Sequence, residues 1–337
     1  MDNSKGKGKY LIIVDAMGGD FAPEEIIKGS SAAASDLGVK IILVGNEEKI
    51  KKAAECNNIS LGETEIVNST QDIKMDDSPS EVIKNKRKSS IYIGTQILSQ
   101  REDGAFLSAG NTGAVMACSL FNLKRIEGIL RPAIAIVIPL AEKKVVLIDA
   151  GANVGCKPQY LVQFAIMGKV YSENIIGTSN PGVGLINVGE EEKKGSEMIV
   201  EAFRILKDSN INFIGNIEGR EIFEGKADVV VCDGFVGNII LKSIEGIANL
   251  FFSEIKNVLT DNFLTRLSAL GLKKSFTGMK KKFDYEEYGG AQLLGVKGIV
   301  IISHGSSKAK AISNAIRAAL DGVKMNLVDK IKSEIKN

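Results

Sequence analysis

Six short loops combine glycine with polar side chains, and each follows an apolar run. They read DAMGGD (15–20), SAGNTG (108–113), DAGANVG (149–155), NVGEEEKKG (187–195), CDGFVGN (232–238) and SHGSS (303–307). Glycine lets a ligand approach the backbone closely, and the start of a following helix offers free N–H groups and a positive dipole end. Several such loops aimed at one point would bind a phosphate or a carboxylate. For any single loop, turn and helix-cap roles account for the same residues.

The loops must be positioned by the elements around them. Apolar runs at 10–14, 40–45 and 104–110 alternate with helical patterns at 158–173, 191–206 and 305–320. This alternation predicts an α/β protein with a largely parallel sheet covered on both faces. Ligands bind at the carboxyl ends of parallel strands, so we expect all six loops at one edge of the sheet. The runs 133–139 and 144–151 are expected to form a strand pair joined by a short polar turn.

The composition argues against several classes of protein. The 337 residues are 44% apolar and 25% charged, with a formal net charge of +2, whereas a general nucleic-acid binder would be more basic. Four cysteines without a CxxC pair and a single histidine make a structural zinc site unexpected and indicate a reducing compartment. The N-terminal apolar run is too short for a signal peptide, and the run 133–141 is too short to span a membrane.

Common motifs for nucleotide or hydrolytic chemistry are missing from the sequence. No glycine-lysine-Ser/Thr sequence of a Walker A motif occurs, and no GxGxxG follows a strand. No GxSxG nucleophile elbow is present, and one histidine cannot supply HExxH. The anion that the loops would bind is therefore not assigned by these motifs.

Longer motifs around the loops resemble the bacterial phosphate acyltransferase family, PlsX. They are DAMGGD followed by FAP, SAGNTGA, GAN with KP after it, NVGEEEKKG, FIGNIEGRE, ADVVVCDGFVGN, and YGGAQLLGVKG with HGSS. The resemblance runs from residue 10 to residue 320 in the family's order. The chain departs from the family at Gly155, where an aspartate is common, and at Ile302, where a more polar residue is expected.

The resemblance implies reversible transfer of a long-chain fatty acyl group from acyl carrier protein to inorganic phosphate. The product, acyl phosphate, would pass to a membrane acyltransferase for phospholipid synthesis. The implied fold is three-layer α/β/α, similar to isocitrate and isopropylmalate dehydrogenases, and the implied assembly is a cytoplasmic homodimer. Alternatives are a coenzyme A-dependent phosphate acyltransferase, a metal-dependent dehydrogenase of the same fold, or a non-catalytic membrane scaffold of lipid synthesis.

Phosphate is already anionic near neutrality, so the reaction needs positioning and hydrogen-bond donors more than a strong base. Candidate catalytic residues are His304, Asn111 and Lys194. Candidate substrate-binding residues are Asp15, Gly18, Gly19, Ser108, Gly110, Thr112, Asn153, Lys157, Asp233, Asn238 and Ser306. No cofactor and no metal are expected.

Several of these residues could serve more than one role. His304 could be a structural histidine, a phosphate ligand or an acid for the leaving sulfur. Lys194 could belong to a solvated first turn of a helix. Asp15, Asp20 and Asp233 match no metal cage by spacing, and we expect them to hold loop backbones. Cys156, a rival nucleophile beside Lys157, is not needed if phosphate attacks directly.

The partners are predicted from charge and helical patterning. KNKRK (84–88) and KKSFTGMKKK (273–282) are basic clusters that could meet the acidic carrier protein. We expect one α/β unit over 10–322, a helical hairpin insertion over 244–283, and peripheral tails at 1–9 and 323–337. The first arm of the hairpin would pack on a second subunit, and residues 262–283 would lie in an anionic membrane surface at the inner face of the cell membrane.

Overall fold

The computed structural model describes residues 9–260 and 289–336, together with the isolated positions 271, 278 and 287. The strands are β1 (Leu11–Asp15), β2 (Lys40–Gly45), β3 (Glu65–Asn68), β4 (Gly104–Ser108), β5 (Ala133–Pro139), β6 (Lys144–Ile148), β7 (Val183–Ile186), β8 (Phe213–Ile217), β9 (Val229–Val231), β10 (Ala291–Leu294) and β11 (Ile299–Ile302). The helices are α1 (Glu24–Leu37), α2 (Glu47–Cys56), α3 (Pro79–Asn85), α4 (Ser90–Leu98), α5 (Thr112–Asn122), α6 (Pro158–Tyr171) with a π-helical turn (Ser172–Ile176), α7 (Glu197–Lys207), α8 (Glu221–Glu224), α9 (Gly234–Thr260), α10 (Ala309–Lys324) and α11 (Leu327–Lys336).

The strands form one 11-stranded sheet in the order β3-β2-β1-β4-β11-β10-β5-β6-β9-β7-β8. Seven of the neighbouring pairs in the described chain are parallel, and the three around β10, β5 and β6 are antiparallel. The prediction of a largely parallel α/β sheet with helices on both faces is confirmed.

The antiparallel centre reverses the direction of half the sheet. β10 is antiparallel to β11 and β5, and β5 is antiparallel to β6, so β6 and β9 run opposite to β4 and β11. The loops DAMGGD, SAGNTG and SHGSS therefore leave one edge, whereas DAGANVG, CDGFVGN and NVGEEEKKG leave the opposite edge. The expectation that all six share one edge is wrong, because it treated every strand as parallel.

The core is divided between the two faces of the sheet. On the first face, α1, α2, α6, α7, α10 and α11 cover side chains such as Ile12, Leu107 and Val231. On the second face, α3, α4 and α5 cover Ile13 and Phe106, while α8 and the start of α9 cover the β6, β8 and β9 side. Strands buried on both faces explain why their sequences are apolar without alternation.

The structure differs from the sequence prediction at the start of one helix and in two additional strands. α7 begins at Glu197 instead of 191 because Gly195 has φ +98° and the Ser196 hydroxyl accepts the N–H of Ile199. β3 and β10 were not predicted, since EIVN and AQLL are short and carry polar residues at strand positions. β10 is nevertheless the strand on which the reversal of the sheet depends.

α9 begins in the core and continues out of it. Gly234 and Gly237 are its buried residues, and a Cβ on Gly237 would lie 1.8 Å from the carbonyl oxygen of Asp149. By length and composition alone, this 27-residue helix is long and apolar enough to cross a membrane. Its first turns pack on the fold, however, so the helix is anchored in the protein at that end.

The helical hairpin expected over 244–283 is described only in part. Its first arm is described as far as Thr260. Its second arm lies outside the described residues, apart from two isolated positions.

The C-terminal segment is part of the fold. α10 continues to Lys324, and α11 packs against α6 with Leu327 and Ile331 fully buried in the first-face core. The assignment of 323–337 as a peripheral tail is therefore corrected: apolar residues four apart give α11 a core-facing stripe.

Candidate active site

A cleft of about 670 Å³ lies on the second face of the sheet, between the start of α5 and the length of α9. Its polar lining residues are Thr112, Asn238, Lys242, Glu245, Asn249, Ser303, His304 and Ser306. Its apolar lining includes Ile134, Ile136, Ile138, Leu241, Ala248 and Phe252. The cleft lies over the antiparallel centre, so it collects residues from loops that leave opposite edges of the sheet.

His304 stands at the end of β11, on the exposed wall of this cleft. The backbone N–H of Ser306 donates to its Nδ1 at 3.2 Å, and the Ser306 hydroxyl lies 2.8 Å from the same nitrogen. Because Nδ1 accepts, the neutral ring carries its proton on Nε2. The neighbouring loop is tied in as well, since the N–H of Asp20 donates to the carbonyl of Gly305 at 2.7 Å.

Asn111 and Thr112 have different surroundings although they are adjacent. The Asn111 carboxamide oxygen accepts the N–H of Ala114, and its nitrogen donates to the carbonyls of Lys74, Met75 and Asp77 at 2.9–3.2 Å. The side chain is thus occupied in capping α5 and holding the 74–77 loop. Thr112 lies in the cleft lining, so it is the residue of this pair that can meet a ligand.

Asp15 organises the loops at the first edge. Its buried carboxylate accepts the Ser108 hydroxyl at 2.6 Å and the N–H of Met17 at 3.0 Å, and Ser108 in turn accepts the N–H of Gly110. Burial raises the pKa of Asp15, and these hydrogen bonds oppose the rise. A Cβ on Gly18 would lie 2.6 Å from the Gly110 nitrogen, so this close approach requires glycine. We infer that Asp15 holds the loops in shape and does not contact the substrate.

Asp149 has the corresponding position at the end of β6. Its fully buried carboxylate accepts N–H groups of Ile134, Gly151, Ala152 and Asn153, and also the Asn153 side-chain amide. Burial raises its pKa, and the hydrogen bonds lower it. The Asn153 amide is thereby directed into the protein, where it also donates to the carbonyl of Pro132 at 2.7 Å.

Three other candidates are not part of the cleft lining. Lys194 lies in an exposed loop with its ammonium 3.1 Å from Glu191. Asp233 accepts the N–H groups of Phe235 and Val236, which makes it a cap for the start of α9. Lys157 is exposed just before α6. The structure does not bring these residues together with His304.

The cleft is also lined by four polar residues of α9, of which only Asn238 was a candidate from the sequence. Asn238, Lys242, Glu245 and Asn249 line it from α9, and the Lys242 ammonium lies 2.8 Å from the Glu245 carboxylate. Their spacing of four, three and four residues places them on one helical face. The sequence spacing of these polar residues could have identified them, because it matches the helical period of the apolar residues from which the helix was predicted.

The cysteines in the core are poor nucleophiles. Burial raises the pKa of Cys156 to about 11, assisted by the charges of Asp149 and Asp233, and raises that of Cys118 to about 12. Cys232 is buried and its pKa is also raised.

Over residues 9–260 and 289–336, no group of three or more His, Cys, Asp or Glu side chains is arranged to hold a metal ion.

Residues 11–330 match the model of a family described as "Fatty acid synthesis protein". A protein of Pelotomaculum thermopropionicum named phosphate acyltransferase is 47% identical over 326 residues, which cover 97% of this chain and 95% of the relative. A phosphate acyltransferase of Halothermothrix orenii is 48% identical, covering 96% of this chain and 98% of the relative. The chain belongs to the phosphate acyltransferase (PlsX) family.

Solved structures agree on the fold of this phosphate acyltransferase family member. The EutD phosphotransacetylase from Staphylococcus aureus is 17% identical with a TM-score of 0.62, covering 94% of this chain and 95% of the other. A branched-chain phosphotransacylase from Enterococcus faecalis is 14% identical with a TM-score of 0.58, covering 93% and 99%. At these identities the likeness shows a shared α/β architecture and no more.

Proposed function

We propose that this acyltransferase moves a long-chain fatty acyl group reversibly between acyl carrier protein and inorganic phosphate, giving acyl phosphate for membrane phospholipid synthesis. Acyl transfer to or from phosphate follows from the family, and the cleft supports the finer assignment. Its polar groups at Thr112, Ser303, His304 and Ser306 suit phosphate and a thioester carbonyl. Its apolar floor and the α9 wall suit a hydrocarbon chain, which an enzyme for acetyl groups would not need.

The chemistry requires few steps. A phosphate oxygen attacks the thioester carbon, the carbon–sulfur bond breaks, and the sulfur leaves as a thiolate that takes a proton from water. A neutral His304 with its proton on Nε2 would donate a hydrogen bond to the carbonyl oxygen as negative charge develops there. It would not act as the acid for sulfur, because losing the Nε2 proton would leave an imidazolate.

The positive charge for phosphate comes from the α9 side of the cleft in this mechanism. Lys242 is the one lysine or arginine among the described lining residues, and Glu245 holds its ammonium. Lys242 therefore replaces Lys194 as our candidate cation. Both lysines are exposed and paired with a glutamate, and the difference is that Lys194 lies on a loop away from the lining.

A comparison of acyl donors tests the substrate assignment. We expect kcat/KM for hexadecanoyl-acyl carrier protein to exceed that for hexadecanoyl-coenzyme A, and both to exceed that for acetyl-coenzyme A, with phosphate as acceptor. Preference for acetyl-coenzyme A would contradict the long-chain assignment. Equal use of the two hexadecanoyl thioesters would favour the coenzyme A-dependent alternative.

The exposed part of α9 supports a proposal about assembly. Ile247, Leu250, Phe251 and Val258 are 58–67% exposed, which is costly for apolar side chains on a helix in water. We propose that a second copy of the chain covers this face in a homodimer. Sedimentation of the wild type against Leu250→Glu/Phe251→Glu tests it: the wild type should be dimeric and the variant monomeric, and a monomeric wild type would contradict the proposal.

Peripheral membrane contact at the inner face of the cell membrane remains a proposal from the sequence, because residues 262–283 lie mostly outside the described chain. Leucines at 264, 267, 270 and 272 adjoin five lysines, a pattern typical of helices that lie in anionic lipid surfaces. Wild type should float with anionic vesicles, and Leu267→Glu/Leu270→Glu should not. Equal flotation of a folded double variant would contradict the proposal. A membrane enzyme could then take up the poorly soluble acyl phosphate.

A further inference from the structure

An exposed aromatic ring with two cations over it lies near the end of α5. Phe121 is 42% exposed, although it carries a large apolar ring. The Arg87 guanidinium lies 5.6 Å and the Lys124 ammonium 5.5 Å from the ring centroid. Tyr92 supports the ring from beneath at 6.0 Å between centroids. An exposed ring held in place by cations is a suitable centre for a protein contact, where aromatic residues and arginine are enriched.

The segment that supplies Arg87 is strongly basic. Lys84, Arg87, Lys88 and Lys124 are exposed, whereas Lys86 is committed elsewhere, since its ammonium lies 2.5 Å from Asp77 and 3.0 Å from the carbonyl of Asp72. We call Phe121, Arg87 and Lys124, together with the exposed Lys84 and Lys88 on either side of Arg87 in the sequence, the α5 basic patch. The acidic residue of α3 is Glu81, one turn before Lys84. The patch is therefore a net positive surface with an apolar centre.

The same helix connects this patch to the active-site cleft. α5 begins at Thr112 in the cleft lining, and Phe121 lies nine residues further along. At 1.5 Å of rise per residue, the ring is about 14 Å from Thr112 along the helix axis. Nine residues are about two and a half helical turns, so a protein seated on the patch could reach the cleft with a flexible arm that spans this distance and passes half a turn around α5.

We infer that the α5 basic patch is the docking surface for the acidic acyl carrier protein. The inference rests on the proposed function, which requires a donor protein that presents a thioester. Complementary charge favours this occupant over a second copy of the chain, whose formal net charge is +2. Phe121 supplies the apolar contact, and Arg87, Lys88 and Lys124 supply long-range attraction and orientation. Lys86, the centre of the KNKRK run, holds the 72–77 loop instead.

The experiment compares two charge-matched triple variants. Arg87→Glu/Lys88→Glu/Lys124→Glu reverses the patch. Lys28→Glu/Lys52→Glu/Lys332→Glu reverses three exposed lysines on α1, α2 and α11, which cover the opposite face of the sheet. Each is assayed with hexadecanoyl-acyl carrier protein and with hexadecanoyl-coenzyme A, at low and at high salt. Phe121→Ala is assayed in parallel, because it keeps all the charges.

The patch variant should lose at least about tenfold in kcat/KM with the carrier-protein thioester at low salt, less at high salt, and little with the coenzyme A thioester. The control variant should keep wild-type kinetics with both donors. Phe121→Ala should weaken use of the carrier protein with little dependence on salt. If the wild type uses the carrier protein and the patch variant is unaffected, the docking surface is wrong while the proposed function stands. If the wild type does not use the carrier protein, the proposed function itself fails.

Discussion

The Ser306 N–H donates to Nδ1 of His304 at 3.2 Å, and the Ser306 hydroxyl lies 2.8 Å from the same nitrogen. This pair fixes which nitrogen of the ring can donate. With the proton on Nε2, His304 can stabilise an oxyanion without itself changing charge, which suits a reaction whose nucleophile is already anionic.

His304→Ala should lower kcat/KM by about 10²–10³, the usual cost of removing one oxyanion donor. Ser306→Ala should lose less, because the backbone N–H that fixes the ring remains. A folded His304→Ala enzyme with wild-type kinetics would remove His304 from the mechanism.

Asn111 and Thr112 should differ in what they control. Asn111→Ala should lower the free energy of unfolding by about 1–3 kcal/mol, because it removes a helix cap and the donor to three carbonyls of the 74–77 loop. Thr112→Val should leave stability nearly unchanged and raise the KM for phosphate. Chemical denaturation and steady-state kinetics on both variants give the comparison, and the reverse pattern would overturn the assignment.

The raised pKa of Cys156 predicts that alkylation of its thiol depends on pH. Because burial raises the pKa of Cys156 to about 11, about one molecule in 10³ carries its thiolate at pH 8. Iodoacetamide at pH 8 should modify exposed Cys56 first, and labelling of Cys156 should rise as pH approaches 11. Cys156→Ala should retain most activity. A trapped acyl thioester on Cys156 of the wild type would contradict direct attack by phosphate.

Alanine substitutions at two glycines of α9 should have opposite effects on stability. A Cβ on Gly237 would lie 1.8 Å from the carbonyl oxygen of Asp149, so Gly237→Ala should cost about 3 kcal/mol or more of unfolding free energy. Gly246 has open space around it, and Gly246→Ala should stabilise the helix by about 0.5–1 kcal/mol. Thermal unfolding of the two variants measures the difference. Equal Tm values would mean that α9 is not anchored at Asp149.

The sequence was sufficient for the class of fold and for the loops that carry polar groups, because apolar runs and glycine turns are local signals. β2 was predicted with its observed bounds, Lys40–Gly45. The direction of each strand is a non-local property, and it depends here on β10, whose sequence AQLL gives no clear pattern. Strand ends alone predicted that the loops of His304 and Asn238 meet, but on the wrong assumption that all strands are parallel; the antiparallel centre that brings them together, and the position of Lys242 beside them, were not predicted.

Site roles were harder to predict than site locations. Asn111 and Lys194 were both reasonable catalytic candidates by residue type. Asn111 proves to be engaged with the 74–77 loop, and Lys194 with Glu191. Which partner a polar side chain selects depends on residues distant in sequence, and no spacing rule supplies that information. Asp15 was a candidate both for substrate binding and for holding loop backbones, and its hydrogen bonds to Ser108 and Met17 support the second role.

Incubation of the pure protein with hexadecanoyl-acyl carrier protein and ³²P-labelled phosphate decides whether the chain makes acyl phosphate by direct transfer. We expect labelled hexadecanoyl phosphate and free carrier-protein thiol to form in equal amounts, with no acyl group retained on the enzyme. The His304→Ala variant should form the product at a rate lower by about 10²–10³. Absence of labelled acyl phosphate with an active donor, from a folded wild-type protein, would contradict the proposed function.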